Sequence, residues 1–223
     1  MNFADKTVNL IKGYFHIMAL YIIYGLAITF LQKYFNAMDT SMYDQESIAE
    51  LISSNPIKAG FMILILAPVL EEIMFRTLIR PSHLELMLFF MIWPIFFIGT
   101  IVPIDAHWAI TAVFIGVLLF SLAYLLSQLI PEKRTLGLRN FLDRQYLFFW
   151  FASSIVFGFV HITNYVDNYM VNLALFVLIA PRIIAGFMMG WIKLKNGSLA
   201  WSMALHFMNN ALPFLLAMGL PDK

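Results

Sequence analysis

Three sets of polar residues interrupt otherwise apolar runs of this chain, and each holds groups able to move a proton or carry a charge. The first is Glu71 and Glu72, with Arg76 one helical turn later, after the run Ile63-Leu-Ile-Leu-Ala-Pro-Val-Leu70. An ionisable side chain in hydrocarbon costs about 2.5–3.5 kcal/mol on insertion scales, so two adjacent carboxylates there point to acid–base chemistry. Neighbouring helical positions point about 100° apart, which rules out a face-to-face dyad of the two glutamates. Glu72 and Arg76 stand at i, i+4 with the acid N-terminal, the favourable order for an ion pair. That leaves Glu71 free to face a cavity. The plainer reading is a Glu-Glu-Arg cluster marking a helix end near the headgroups.

The second set is His161, which ends Phe157-Gly-Phe-Val-His161, and the third is His206 with Asn210 in Trp201-Ser-Met-Ala-Leu-His206-Phe-Met-Asn-Asn210. His206 and Asn210 share a helix face, where an imidazole and an amide can donate hydrogen bonds to one developing negative charge. Asn209, at i+3, competes for that role. Taken singly, each histidine also fits a helix–helix hydrogen bond. His16, His83 and His107 sit near a span end or at loop boundaries, where snorkelling polar groups are ordinary. Arg182, after Pro181, reads as an ion pair or a carbonyl contact at a kink.

The elements that must position these groups are membrane helices. The 223 residues are 61% hydrophobic and 12% charged, against about 45–50% and 25% for a soluble domain. The fold class expected is all-α, a polytopic membrane protein of about seven or eight transmembrane helices with its active site in an intramembrane cavity. The apolar runs are continuous, which excludes a transmembrane β-barrel. Spans are expected at about 14–32, 57–79, 84–102, 107–130, 145–163, 170–192 and 197–218. The segment 39–54 is too polar to span and reads as an interfacial amphipathic helix with Ile48, Leu51 and Ile52 on one face. Counted as straight rods, these spans put Glu71 near the inner side and His161 near the outer, so one helix must be broken or tilted. No repeat or linker divides the chain, so residues 1–223 are expected to form one transmembrane domain. Residues 1–12 lack the features of a cleaved signal peptide. Lys and Arg alternate between loops in the pattern of a cytoplasmic N-terminus. Net charge is +1, and no basic stripe is present for nucleic acid. Cysteine is absent, which excludes disulfides and a thiolate nucleophile.

The ordered set Glu71-Glu72-x-x-x-Arg76, Phe157-x-x-x-His161 and His206-x-x-x-Asn210 resembles the three motifs of the CAAX-protease and bacteriocin-processing (CPBP, or Abi) intramembrane proteases. The resemblance covers about 57–218. It implies that Glu71 is the general base activating a water, with His161 helping to bind it. Glu72 and Arg76 would be a supporting pair, and His206 and Asn210 the oxyanion-stabilising group. In typical members the second motif follows the first after about one helix and a loop. Here residues 84–135 intervene as an extra helical hairpin, which leaves the later helices in the same orientation and reshapes the mouth of the cavity.

The function read from the chain is an intramembrane endopeptidase that hydrolyses peptide bonds of a membrane-associated protein or peptide. A desolvated carboxylate is a better base at neutral pH, and an apolar cavity strengthens oxyanion hydrogen bonds. No cofactor is expected; Zn²⁺ is the alternative if Glu71, His161 and His206 act as ligands. Partners are the substrate and the lipid bilayer, with no nucleic acid, and the location is a bacterial or archaeal cell membrane. Two other functions compete: a transporter or proton relay using the buried Glu and His, and a catalytically idle immunity or scaffold protein of the same fold. No inverted repeat supports the transporter.

Overall fold

The computed structural model describes residues 1–35, 43, 46–98, 107–166 and 169–219. Among them the regular structure is entirely helical. Helix α1 spans Phe3–Phe35, α2 Glu46–Ser54, α3 Pro56–Phe61 and α4 Ala67–Arg76, with a π-helical turn, Met62–Leu66, joining α3 to α4. There follow α5 (His83–Ile98), α6 (Trp108–Leu129), α7 (Glu132–Arg144) and α8 (Tyr146–Val160). A 3₁₀ turn at His161–Asn164 leads to α9 (Leu173–Asn196) and α10 (Leu199–Gly219). Residues 39–42, 44 and 45 of the segment 39–54 lie outside the described residues and its later part forms α2, while α7 occupies the stretch between two expected spans.

Among the described residues four helices are long and apolar enough to cross a membrane: Phe3–Tyr34, Trp108–Leu129, Tyr146–Asn164 and Leu173–Asn196. The chain is therefore an all-helical integral membrane protein, with a smaller number of such spans than the seven or eight expected. The Pro56–Arg76 stretch and α10 fall outside that set, and both carry candidate site residues. Glu71, Glu72 and Arg76 interrupt the first, and His206, Asn209 and Asn210 the second. Polar residues placed for chemistry lower the hydropathy that marks a span.

Helix α9 is the hub, packed against α1, α8 and α10. Its Gly186 allows a close approach: a Cβ there would lie 3.1 Å from both Arg76 Nη2 and Ser154 Cα. Helices α5 and α6 pack on each other and, through Ile73, Leu86 and Leu119, on α4. At the end of α4, Lys193 Nζ donates to the carbonyls of Arg76 (2.9 Å) and Thr77 (3.1 Å) and pairs with Glu85 at 3.2 Å. Glu85 also accepts from the Leu199 N–H at the start of α10. Arg76 and Lys193 are both buried.

Helix irregularities free backbone carbonyls, and side chains from other segments take them up. In the π turn the Ala67 N–H bonds the Met62 carbonyl, five residues back. In that register Ile63 meets Pro68, which has no N–H, and Asn210 Nδ2 fills the gap at 3.0 Å. Pro181 likewise denies a donor to Val177, whose carbonyl accepts from the Tyr24 hydroxyl of α1 at 2.7 Å. Helix α8 has 15 residues, about 22 Å at 1.5 Å per residue, shorter than a hydrocarbon core of about 30 Å. The 3₁₀ turn extends the run to Tyr146–Asn164, long enough to cross, and His161 Nε2 lies 3.9 Å from Glu71 Oε2, so the depth mismatch expected from straight rods does not arise.

Tyr24→Phe should lower stability in detergent by about 1 kcal/mol, the scale for stranding a buried acceptor. In a Pro181→Ala background, where the backbone again supplies an N–H, the same change should cost about a third of that or less. Equal costs in the two backgrounds, read from thermal unfolding, would contradict the assignment of the freed carbonyl.

Candidate active site

Glu72 and Arg76 lie one turn apart on α4 with no solvent exposure, and Glu72 Oε2 sits 3.5 Å from Arg76 Nε. The Arg76 guanidinium lies over the Phe157 ring, 4.6 Å from its centre, and its Nη1 donates to the Ser153 carbonyl at 3.3 Å. Glu72 has two further partners, both from α10. Ser202 Oγ donates to Oε2, and His206 Nδ1 lies 3.0 Å from Oε1. Ser202 precedes His206 by four residues, so the two share a helix face. That spacing was legible in the sequence, although the pairing with Glu72 requires the fold.

His161 is fixed from its own helix. Its backbone N–H bonds to the Gly158 carbonyl as α8 tightens into the 3₁₀ turn. The Phe157 carbonyl, one residue earlier, takes the ring Nδ1 at 2.6 Å. The Phe157 ring packs edge-on against both His161 (4.7 Å between centres) and His206 (5.6 Å). The phenylalanine four residues before His161 therefore supplies a carbonyl for one histidine and an apolar wall for both.

These contacts set the tautomers. A carbonyl can only accept, so His161 Nδ1 carries a proton. Glu72, held against Arg76, accepts in the same way from His206 Nδ1. Both Nε2 atoms are turned toward one oxygen, Glu71 Oε2, at 3.9 Å from His161 and 3.8 Å from His206. These distances exceed a hydrogen bond, and Glu71 Oε2 has no hydrogen-bond partner although it is shielded from bulk solvent. A water about 2.8 Å from Glu71 Oε2 and from one Nε2 would span an angle of roughly 90°.

Glu71, His161, His206, Asn209 and Asn210 line a single cavity of about 650 Å³. Met18 and Tyr21 of α1 and Ile48 and Ile52 of α2 close part of it. The apolar face expected on the interfacial helix thus covers the cavity. No described residue of α5 or α6 lines it, so the reshaped cavity mouth expected from residues 84–135 is not found among the described residues. Tyr21 donates its hydroxyl to Asn209 Oδ1 at 2.9 Å, and Asn209 Nδ2 reaches Asn210 Oδ1 at 3.3 Å. One N–H of Asn210 is engaged by Ile63, which leaves the other for a ligand. Tyr21 lies outside the motifs and gives no sequence signal. The remaining histidines are local: His83 meets Thr135 at 2.9 Å, His107 accepts from the Ala109 N–H, and His16 lies edge-on to Trp191.

A carboxylate and two imidazoles are ligand types for Zn²⁺, and the tautomers leave both Nε2 lone pairs on the Glu71 side. Tetrahedral Zn²⁺ with bonds of about 2.0–2.1 Å sets ligand atoms about 3.3–3.4 Å apart, closer than the spacings found. Among the described residues no group of three or more His, Cys, Asp or Glu is arranged to hold a metal.

Residues 133–212 match the family model described as type II CAAX prenyl endopeptidase Rce1-like. The matched stretch contains His161, His206 and Asn210, while Glu71, Glu72 and Arg76 precede it. The match supports the CAAX-protease (CPBP) family read from the three motifs, which is a family of membrane proteases. No curated protein matches the chain, and no solved structure does.

Glu72→Gln leaves Arg76 buried without a counter-charge and should cost about 3–5 kcal/mol of stability. Glu71→Gln, at a side chain in the cavity wall, should cost less than about 1 kcal/mol. Thermal unfolding of both variants in the same detergent compares them; equal losses would dismiss the distinction.

Proposed function

We propose that this chain, a CAAX-protease relative by the match over 133–212, is an intramembrane endopeptidase that cleaves a membrane-associated protein or peptide by direct attack of water. The observation that carries the reading is the convergence of His161 Nε2 and His206 Nε2 on the unpartnered Glu71 Oε2 inside one cavity.

The residues divide the work as follows. Water donates one hydrogen bond to the Glu71 carboxylate and one to His161 Nε2, which turns an oxygen lone pair toward the scissile carbonyl carbon. As the C–O bond forms, Glu71 takes the proton, and the carbonyl oxygen becomes an oxyanion. To donate to that oxyanion from Nε2, His206 must be the imidazolium, since its Nδ1–H already faces Glu72. A carboxylate on Nδ1 is the partner that form requires. The free N–H of Asn210 adds a second donor. Glu71 then returns its proton to the amide nitrogen as the C–N bond breaks, giving a carboxylic acid and an amine; the acid passes its proton to the amine, so that a carboxylate and an ammonium leave. Glu72 and Arg76 touch no substrate; they orient His206. Lys6 and Lys12 near the start of α1, and Lys133 and Arg134 in α7, favour a cytoplasmic N-terminus by the positive-inside pattern, and the membrane is bacterial or archaeal on this reading.

Glu71→Gln should lower turnover by about 10²–10⁴-fold, the usual share of a general base, in a protein that still unfolds at the wild-type temperature. Full activity in that variant would remove Glu71 from the mechanism. Purified protein treated with a strong chelator, and shown metal-free by elemental analysis, should keep its activity. Loss of activity restored by one equivalent of Zn²⁺ would make Glu71, His161 and His206 ligands instead.

A further inference from the structure

One charged group in the cavity has no part in this chemistry. Arg182, one residue after the Pro181 kink in α9, lines the same cavity as Glu71, His161 and His206. Every other cation near the site has an acid: Arg76 has Glu72, and Lys193 has Glu85. Arg182 pairs with no carboxylate among the described residues. A guanidinium in mostly apolar surroundings is costly unless something compensates it.

The side chain is nevertheless held in place. Its Nη1 donates to the Leu178 carbonyl at 3.1 Å, and its guanidinium lies 5.3 Å from the centre of the Tyr165 ring. That bears out the carbonyl contact expected at the kink, and it occupies only one corner of the group. Nε and Nη2, whose N–H bonds run parallel along one edge, have no partner among the described residues. A planar carboxylate fits that edge with two parallel hydrogen bonds.

We propose that Arg182 is the carboxylate-binding residue of the substrate cavity, taking an anionic carboxylate of the bound peptide while the scissile bond lies at Glu71. This rests on the peptidase reading for its substrate class. The carboxylate is either the peptide's own C-terminus or an Asp or Glu side chain, and a planar acid from either source offers the same two oxygens. Arg182 then selects substrates that carry an acid a fixed distance from the bond cut, and the cost of its desolvation is recovered when that acid binds.

Binding is measured on the Glu71→Gln protein in lipid nanodiscs, so that no turnover is needed. The probes are N-lauroyl-Leu-Leu as the free acid, the same compound as its C-terminal amide, and N-lauroyl-Leu-Asp amide. The free acid or the Asp amide should bind about 10- to 100-fold more tightly than the Leu-Leu amide, the range for charge-assisted hydrogen bonds. Whichever acid is preferred identifies the source. With Arg182→Gln added, the acid-to-amide ratio should fall to about one; Arg182→Lys should keep part of it. A ratio near one in the protein that retains Arg182, or a ratio that survives Arg182→Gln, overturns the proposal. The first of these results needs no Arg182 variant to fold. Because binding is read without cleavage, an acid preference in a protein that never hydrolyses peptides would sink the peptidase reading and leave the Arg182 subsite standing.

Discussion

Taking the Glu72 carboxylate out of water carries a penalty of several kcal/mol, and the surrounding helices are arranged to offset it. Arg76 supplies the counter-charge from the same helix, while Ser202 and His206 supply hydrogen bonds from α10. The pairing has a direct consequence for chemistry. With Nδ1 of His206 committed to Glu72, the ring has one orientation and its Nε2 can only face Glu71. The position of His206 in the cavity thus follows from a buried ion pair that never touches the cavity itself. Gly186 is part of the same arrangement, because a side chain there would meet the Arg76 guanidinium.

A second constraint is the backbone. In hydrocarbon a carbonyl without a donor is costly, yet three helices near the site are irregular: a π turn in front of Pro68, a kink at Pro181 and a 3₁₀ end at His161. Asn210, Tyr24 and the His161 ring each take one freed carbonyl. Two of those three side chains belong to the candidate site. Strain at the site and positioning of the site are here the same feature: the bond that satisfies Phe157 also sets the tautomer of His161. Asn210 joins the π turn to α10 and keeps one N–H for a ligand.

The parts of this arrangement that were legible in the sequence are those encoded by helical spacing. Glu72 with Arg76, Phe157 with His161 and His206 with Asn210 all stand at i, i+4; the first two pairs prove to be direct contacts, and the third lines one cavity. The helical class and the membrane setting followed from composition. Relations between helices were not legible. Nothing in the spacing joins Glu72 to His206 or Tyr21 to Asn209, since each pair is separated by more than a hundred residues. Seven or eight spans were expected from the apolar runs, and among the described residues four helices are long and apolar enough to cross; polar side chains interrupt two of the other runs, Pro56–Arg76 and α10. The amphipathic face of α2 was visible, but its partner, the cavity, was not.

We propose that Glu71, His161 and His206 hold a water and not a metal. Crystallography or cryo-electron microscopy of the protein in lipid, at a resolution that shows ordered solvent, tests it directly. The account predicts a single solvent peak within about 2.6–3.2 Å of both Glu71 Oε2 and His161 Nε2, with His206 Nδ1 still on Glu72. A peak with bonds of about 2.0–2.1 Å to Glu71, His161 and His206, and anomalous scattering of a transition metal, would contradict it.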